Sequence, residues 1–411
     1  MSQNEFQALG IEPHFLSVLT KGSISTPSPI QEQCIPEILL GHDVLGIAKT
    51  GTGKTLAFVL PLIQNLKKNP AQVLIIAPTR ELAYQINNVC KEFIIGTHLY
   101  TGVIVGGEGI YKQISEIKRG LNIIIATPGR LIDHLKRRTV NFSKLKYLVL
   151  DEADRLFDMG FAPQIEIIMK SIPKKTDRQT LLFSATMPEE ISNLVKKHMH
   201  EPVSIEITKS GDTATDVRQE MLVIDKKHHL SALIACIKKI NGTVLIFSRT
   251  KRGAGRLVKS LRDNNYHTEE LHSDRSLSQR KQAIFAIKTG KSKILVATDI
   301  AARGIDIKNL DAVINYDLPD NPEDYIHRIG RTGRAGQKGK AISLVISDQG
   351  KEIKRIQNFI NTDIEPIEME NVPSAKLQYN SNPDSNRRGG FRPQRRSFSR
   401  PKSGSRNNFY R

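Results

Sequence analysis

The octapeptide Ala48-Lys49-Thr50-Gly51-Thr52-Gly53-Lys54-Thr55 follows an apolar run, Val44 to Ile47, and precedes an apolar helical pattern. Glycines let successive backbone N–H groups turn toward one anion, and the following helix adds the positive end of its dipole. In such a loop Lys54 reaches the β- and γ-phosphates of a nucleotide as a point charge, and the Thr55 hydroxyl holds Mg²⁺. The strict pattern begins with glycine, where this chain has Ala48. Alone, the octapeptide also fits a glycine-rich turn with a solvated lysine. A second group, Asp151-Glu152-Ala153-Asp154, directly follows the apolar run Tyr147–Leu150. Asp151 can hold Mg²⁺ through water, and Glu152 can orient and deprotonate an attacking water. Acids also suit helix N-termini for dipole reasons alone. The conjunction with the phosphate loop is what points to nucleotide hydrolysis.

His327-Arg-Ile-Gly-Arg-Thr-Gly-Arg334 lies far downstream. Arg331 and Arg334, three apart and separated by glycine, can both reach one γ-phosphate if two halves of the chain close on each other, acting as arginine fingers. A basic RNA-contacting loop is the alternative, and the two roles are compatible. Upstream, the Gln31 amide in Pro27-Ser-Pro-Ile-Gln31 matches the N6/N7 edge of adenine, whereas guanine offers O6 where adenine has its donor. Gln31 would thus select ATP. Phe6 could stack on the base or serve as a core aromatic.

These groups need elements to place them. Apolar, β-branched runs recur at Val73–Ala77, Val103–Val105, Ile123–Ala126, Tyr147–Leu150 and Leu181–Phe183, then at Val244–Phe247, Ile294–Ala297, Ala312–Asn315 and Ala341–Ile346. Each is followed by a polar or glycine-containing signature and a helical pattern. Continuous apolar strands alternating with helices imply an α/β fold with parallel sheets covered on both faces. In such folds ligands bind beyond the carboxyl ends of the strands, where every signature above falls. A chain of 411 residues is long for one core and implies two domains, on the order of 150–200 residues each. The expected boundaries are a first domain over 1–207, a linker over 208–217, a second domain over 218–370 and a disordered arginine- and glycine-rich tail over 371–411.

Net charge is +19, which suits a polyanionic partner, although a basic chain can also simply be soluble. Residues 371–411 hold ten Lys/Arg against one acid, Asp384, and so carry about half the excess. Cys34, Cys90 and Cys236 are widely separated and in no CxxC spacing. That supports neither a disulfide framework nor a zinc cluster and fits core thiols in a reducing compartment. No apolar run approaches the roughly 18–20 residues of a membrane span, and no leader pattern opens the chain. A cytoplasmic protein without a membrane partner is expected.

Taken together, the signatures resemble the DEAD-box family of ATP-dependent RNA helicases, over roughly residues 6–350 and in the family's order. The resemblance further rests on Pro78-Thr-Arg-Glu-Leu-Ala83, Gly106-Gly107, Thr127-Pro-Gly-Arg130, Ser184-Ala-Thr186, Phe247-Ser-Arg249 and Thr298-Asp-Ile-Ala-Ala-Arg-Gly-Ile-Asp306. The basic tail is most similar to that of the bacterial RhlE-like branch. The resemblance implies two RecA-like domains with ATP and Mg²⁺ in the cleft between them. It assigns RNA-backbone contacts to Pro78, Thr79 and Arg80, to Gly106 and Gly107, to Thr127, Pro128, Gly129 and Arg130, and to Ser248, Arg249, Arg280 and Thr298. Amides, hydroxyls and arginines suit sugar and phosphate more than base edges, so binding independent of sequence is expected. The resemblance also implies that Ser184 and Thr186 link the nucleotide to the RNA site and that Asp306 lies by the ATP ribose. The chain departs from the family pattern at Ser23-Ile24, in place of glycine and an aromatic. It departs again at Ser273, in place of a glycine after the motif histidine, and at Leu277, in place of a glutamine three residues before Arg280.

The function this implies is ATP-dependent local strand separation or remodelling of RNA, by a monomer acting on single strands and short duplexes, with ribosomal or RNA-decay complexes as settings. Two alternatives stand beside it. One is an RNA clamp or annealing chaperone whose ATPase times release; the other is a DNA translocase of related fold.

Overall fold

Each apolar run read from the sequence is a strand buried on both faces. The computed structural model describes residues 5–48, 51–68, 72–207, 217–302, 310–333 and 338–379. Seven strands of the first half form one sheet: β1 (Val44–Ile47), β2 (Gln72–Ile76), β3 (Thr101–Ile104), β4 (Ile123–Ala126), β5 (Leu145–Leu150), β6 (Gln179–Ser184) and β7 (Val203–Glu206), in the order β3-β4-β2-β5-β6-β1-β7. Seven of the second half form another: β8 (Val217–Ile224), β9 (Val244–Phe247), β10 (Thr268–Leu271), β11 (Ile294–Ala297), β12 (Ala312–Asn315), β13 (Gly339–Ile346) and β14 (Glu365–Pro366), in the order β10-β11-β9-β12-β13-β8-β14. All recorded pairings within the two sheets are parallel. The doubly covered parallel fold expected from the sequence, once in each half, is what forms.

Side-chain alternation explains why these strands are apolar throughout. Val73 and Ile75 of β2 pack into one core layer with Phe58 and Phe183, while Leu74 and Ile76 pack into the other with Leu131 and Leu156. Both faces must therefore be apolar. Each such residue contributes roughly 1.5–3 kcal/mol on burial.

Because every strand runs the same way, all the loops that carry signatures leave from one edge. β3, β4 and β2 lead into Gly106-Gly107, Thr127–Arg130 and Pro78–Arg80, whereas β5, β6 and β1 lead into Asp151-Glu152, Ser184–Thr186 and the phosphate loop. The order of strands thus sorts the expected RNA groups onto one side of the first sheet and the expected nucleotide groups onto the other. In the second sheet β11, β9 and β12 deliver Thr298, Ser248-Arg249 and Asp317 to the same kind of edge.

Two boundaries differ from expectation. β8 begins at Val217, one residue inside the span assigned to the linker; residues 208–216 lie outside the described residues. The assigned tail also starts too early. Val372 is buried, Leu377 packs beside the core of the second half, and the N–H groups of Ala375 and Gln378 donate to the Val223 and Ser347 carbonyls at 2.9 and 2.7 Å. The segment 371–379 belongs to the second half because its apolar residues find that surface. Residues 380–411, the remainder of the assigned tail, lie outside the described residues.

Ser23 shows what one departure from the family pattern entails. It follows the C-cap of helix Pro13–Lys21 with φ +56°, a left-handed position that suits glycine.

Candidate nucleotide and RNA site

The phosphate loop leaves β1 and enters helix Lys54–Lys68. Gly51 and Gly53 have φ of +90° and +93°, and a Cβ on Gly53 would overlap the Gln31 amide. The buried Lys54 ammonium donates to the Ala48 carbonyl at 2.6 Å, and the Ala48 N–H donates to the Ser184 carbonyl at 3.0 Å. Ala48, where the strict pattern has glycine, is thus held between two strands' ends. Thr52 and Thr55 are half-buried, Thr55 in the first turn of the helix. Lys49 and Thr50 lie outside the described residues.

Gln31 is tied into this loop. Its amide oxygen accepts the Ser28 N–H at 2.9 Å and its amide nitrogen donates to the Gly53 carbonyl at 2.9 Å. One N–H and one lone pair remain, a donor beside an acceptor, which is what the N7/N6 edge of adenine requires. Phe6 is fully buried in the core layer that also holds Ile11, Phe15 and Ile30. In this arrangement it is a core aromatic and presents no face to a base.

The acidic tetrad sits where β5 ends. Asp151 is 2% exposed and Glu152 is 5% exposed. Burial, then the neighbouring Glu152 charge, pushes the Asp151 carboxyl above the ordinary aspartate range, and Lys54 works against that rise. Glu152 has φ +50° and ψ +52°, a left-handed conformation that costs a non-glycine residue of order 1–3 kcal/mol and is typical of positions held for function. Its carboxylate accepts from the buried Arg155 guanidinium at 2.8 Å. The Asp154 carboxylate accepts from the N–H groups of Ala185 and Thr186 at 2.9 and 3.1 Å, while its own N–H donates to the Ser184 hydroxyl at 3.2 Å. The tetrad and the Ser184–Thr186 segment are therefore one hydrogen-bonded unit.

On the other side of the sheet, Pro78, Thr79, Arg80, Gly106, Thr127, Gly129 and Arg130 line a single cleft of about 430 Å³, joined by Glu81, Asp133, Met159, Phe161 and, from the second half, Arg280. Pro128, buried at the first position of helix Pro128–Lys136, fixes the backbone behind it. Thr79 caps helix Arg80–Phe93, its hydroxyl accepting the Leu82 N–H at 3.2 Å. Gly107 has φ +81°, a left-handed position that suits glycine, and the Arg80 guanidinium lies against it. Arg130 donates to the Glu108 carbonyl at 2.9 Å and to the Gln113 amide oxygen at 3.0 Å. Gln113, 1% exposed, also donates to the Val105 carbonyl at 2.9 Å, and His134 Nε2 lies 3.0 Å from its amide oxygen. One buried glutamine thus holds the backbone ahead of Gly106-Gly107 and the Arg130 side chain together. Arg280 reaches the Glu81 carboxylate at 2.7 Å across the two halves.

In the second half the Ser248 hydroxyl and the Arg249 N–H both donate to Asp317, at 3.0 and 2.9 Å, and the Arg249 side chain donates to the Leu318 carbonyl at 3.2 Å. Thr298 is 9% exposed at the end of β11. Arg328, not singled out from the sequence, forms a bidentate pair with Asp299 at 2.6 and 2.7 Å and lies 5.0 Å from the centre of the Phe247 ring. Arg331, one turn on, is 5% exposed and donates from Nε to the His327 carbonyl at 3.2 Å. Arg334 and Asp306 lie outside the described residues.

Residues 28–194 match the family described as DEAD/DEAH box helicase, and residues 225–336 match the helicase conserved C-terminal domain. The chain is a member of the DEAD-box family of ATP-dependent RNA helicases. It is 43% identical over 376 residues to the DEAD-box ATP-dependent RNA helicase RhpA of Helicobacter pylori, covering 90% of this chain and 76% of that protein. To the ATP-dependent RNA helicase DeaD of Buchnera aphidicola it is 40% identical, over 90% of this chain and 61% of that one. Among solved structures, S. cerevisiae Dbp5 bound to RNA and ADP BeF3 matches with a TM-score of 0.79 at 32% identity, covering 89% of this chain and 95% of that one. A DEAD box protein from Methanococcus jannaschii matches with a TM-score of only 0.52 despite 38% identity, covering 88% and 99% of the two chains. Among the described residues no helix is long and apolar enough to cross a membrane. All three cysteines are free and buried, and burial pushes their thiols up to about 12.

Proposed function

We propose that this DEAD-box chain binds ATP with Mg²⁺ at the phosphate loop, hydrolyses it with Glu152 as the base, and uses closure of its halves on RNA to separate short duplexes. One observation carries the reading: the strand order sets the nucleotide groups and the RNA groups side by side on one sheet edge, with Arg280 of the second half reaching into the RNA cleft. Lys54 binds phosphate. Gln31 offers adenine its remaining N–H and lone pair. Arg80, Arg130 and Arg280, with the amides of Gly106 and Gly107, contact sugar and phosphate, so binding does not depend on sequence.

Asp151, pushed toward protonation by burial and then by the Glu152 charge, fits a hard cation that would relieve both. Asp151, through water, and the Thr55 hydroxyl would hold Mg²⁺ together with the phosphates. When bound, the ion supplies positive charge that neutralises the triphosphate. Glu152, fixed by Arg155, takes a proton from the attacking water. Arg331 and Arg334 complete the site on closure by stabilising charge on the transferring phosphoryl group. Because Asp154 ties the tetrad to Thr186, a change on the nucleotide side is felt by the segment between the two sites. Buried free thiols suit a cytoplasmic setting.

ATPase turnover measured with no nucleic acid, with RNA and with DNA tests this reading. Stimulation by RNA above that by DNA is expected. Equal stimulation by both would replace the RNA helicase with a DNA translocase.

A further inference from the structure

Two consecutive cations of helix Leu277–Lys288 meet helix Arg80–Phe93 across the two halves. Arg280 reaches the Glu81 carboxylate at 2.7 Å, and one turn along, the Lys281 ammonium lies 4.0 Å from the centre of the Tyr84 ring. The first contact is buried on both sides, the partners being 9% and 7% exposed. The second is open, since Lys281 is exposed and Tyr84 half-buried. The Tyr84 hydroxyl in turn donates to the Glu108 carboxylate. Glu108 directly follows Gly106-Gly107 and lends its carbonyl to Arg130. Glu108 and Lys281 also line the same groove between the halves.

We infer that Lys281, Tyr84 and Glu108 form a closure latch that positions the second half against the RNA-contacting loop of the first. The inference rests on the proposed RNA-driven closure. A cation over an aromatic face is attracted by the ring quadrupole, and a carboxylate accepting a hydrogen bond from the phenol makes that ring more electron-rich. The acceptor belongs to the loop that would contact RNA. Strand binding that orders this loop therefore strengthens the latch, and by reciprocity the closed latch strengthens strand binding. Arg280–Glu81 is a buried pair; Lys281 on Tyr84 is weak and solvent-reached, suited to setting how much RNA is needed.

The test is RNA-stimulated ATPase of the full chain titrated with poly(U). Lys281→Ala should raise the half-saturating RNA concentration about 2- to 5-fold, with turnover at saturating RNA within twofold of wild type and thermal unfolding unchanged. Lys281→Arg, which keeps a cation over the ring, should restore it. Tyr84→Ala should match Lys281→Ala, and the double variant should be no worse than either. A wild-type RNA requirement in Lys281→Ala, or single effects that multiply in the double variant, overturns the latch. Tyr84→Phe, which keeps the ring and gives up Glu108, should fall between; wild-type behaviour there removes Glu108 from it. A wild-type chain that RNA does not stimulate overturns the underlying reading, and the latch with it.

Discussion

The Arg155 guanidinium donates to the Glu152 carboxylate at 2.8 Å, one helical turn apart and with both side chains nearly excluded from solvent. A base that must accept a proton needs to be aimed. The arginine does this by fixing the carboxylate's position. Glu152→Gln keeps an acceptor for Arg155 and removes the base. Turnover should fall roughly 10²–10⁴-fold, with ATP and RNA affinities near wild type. Near-normal RNA-stimulated turnover in that variant would take Glu152 out of the reaction. Arg155→Ala leaves a buried charge unpaired, which costs about 3–5 kcal/mol, and should lower the unfolding midpoint as well as turnover.

Gln31 has two tasks. It closes the phosphate loop through the Gly53 carbonyl and the Ser28 N–H, and its remaining amide edge faces adenine in the proposed complex. Gln31→Ala should raise the KM for ATP and erode discrimination against GTP. If only the structural task existed, the KM for ATP and for GTP would rise together and their ratio would stay fixed, which steady-state kinetics with both nucleotides would reveal.

The strand runs were readable because burial on both faces demands unbroken apolar sequence. The edge strand β10 was not, since Thr-Glu-Glu-Leu has no apolar run and only its end residues are buried. Likewise β8 was hidden beside the linker, where Arg218 and Glu220 interrupt it. Asp151, Glu152 and Lys54 stood out because metal, base and phosphate chemistry restrict residue type, and the structure buries all three. Gln113 was not. Nothing in Tyr111-Lys-Gln113 distinguishes a buried organiser from a solvated helix residue until Val105, Arg130 and His134 are seen around it. Segment 371–379 was misread for the opposite reason, because a few apolar residues suffice when a prepared surface awaits them.

Two arginines of one motif separate by their surroundings. Arg328 is saturated by Asp299, Asn315 and the Asp317 carbonyl, so Arg328→Ala should destabilise the second half by about 3–5 kcal/mol, as breaking a buried pair does. Arg331→Ala should instead lower kcat by roughly 10³-fold or more, the worth of an arginine finger, with the unfolding midpoint near wild type. The same loss is expected for Arg334→Ala. An Arg331→Ala protein that loses RNA affinity alone and hydrolyses normally at saturating RNA would make this arginine an RNA contact instead.

Residues 380–411 hold nine Lys/Arg against Asp384, interleaved with Phe391, Phe398, Phe409 and Tyr410. Such a composition suits attraction to phosphate and stacking on bases. Joined to the second half beyond Tyr379, the segment should raise the local concentration of RNA near the cleft and leave the hydrolytic groups untouched. Cutting after Tyr379 spares the packed residues Val372 and Leu377, so the comparison isolates the segment from the fold. RNA binding should weaken. If about half the charges engage a single strand, the slope of log affinity against log salt should become shallower by on the order of 3. Turnover at saturating RNA should stay within twofold. A reading in which this segment does the work and the ATPase only times release predicts instead that strand annealing is lost while duplex opening survives, and measuring both on the truncated chain decides between them.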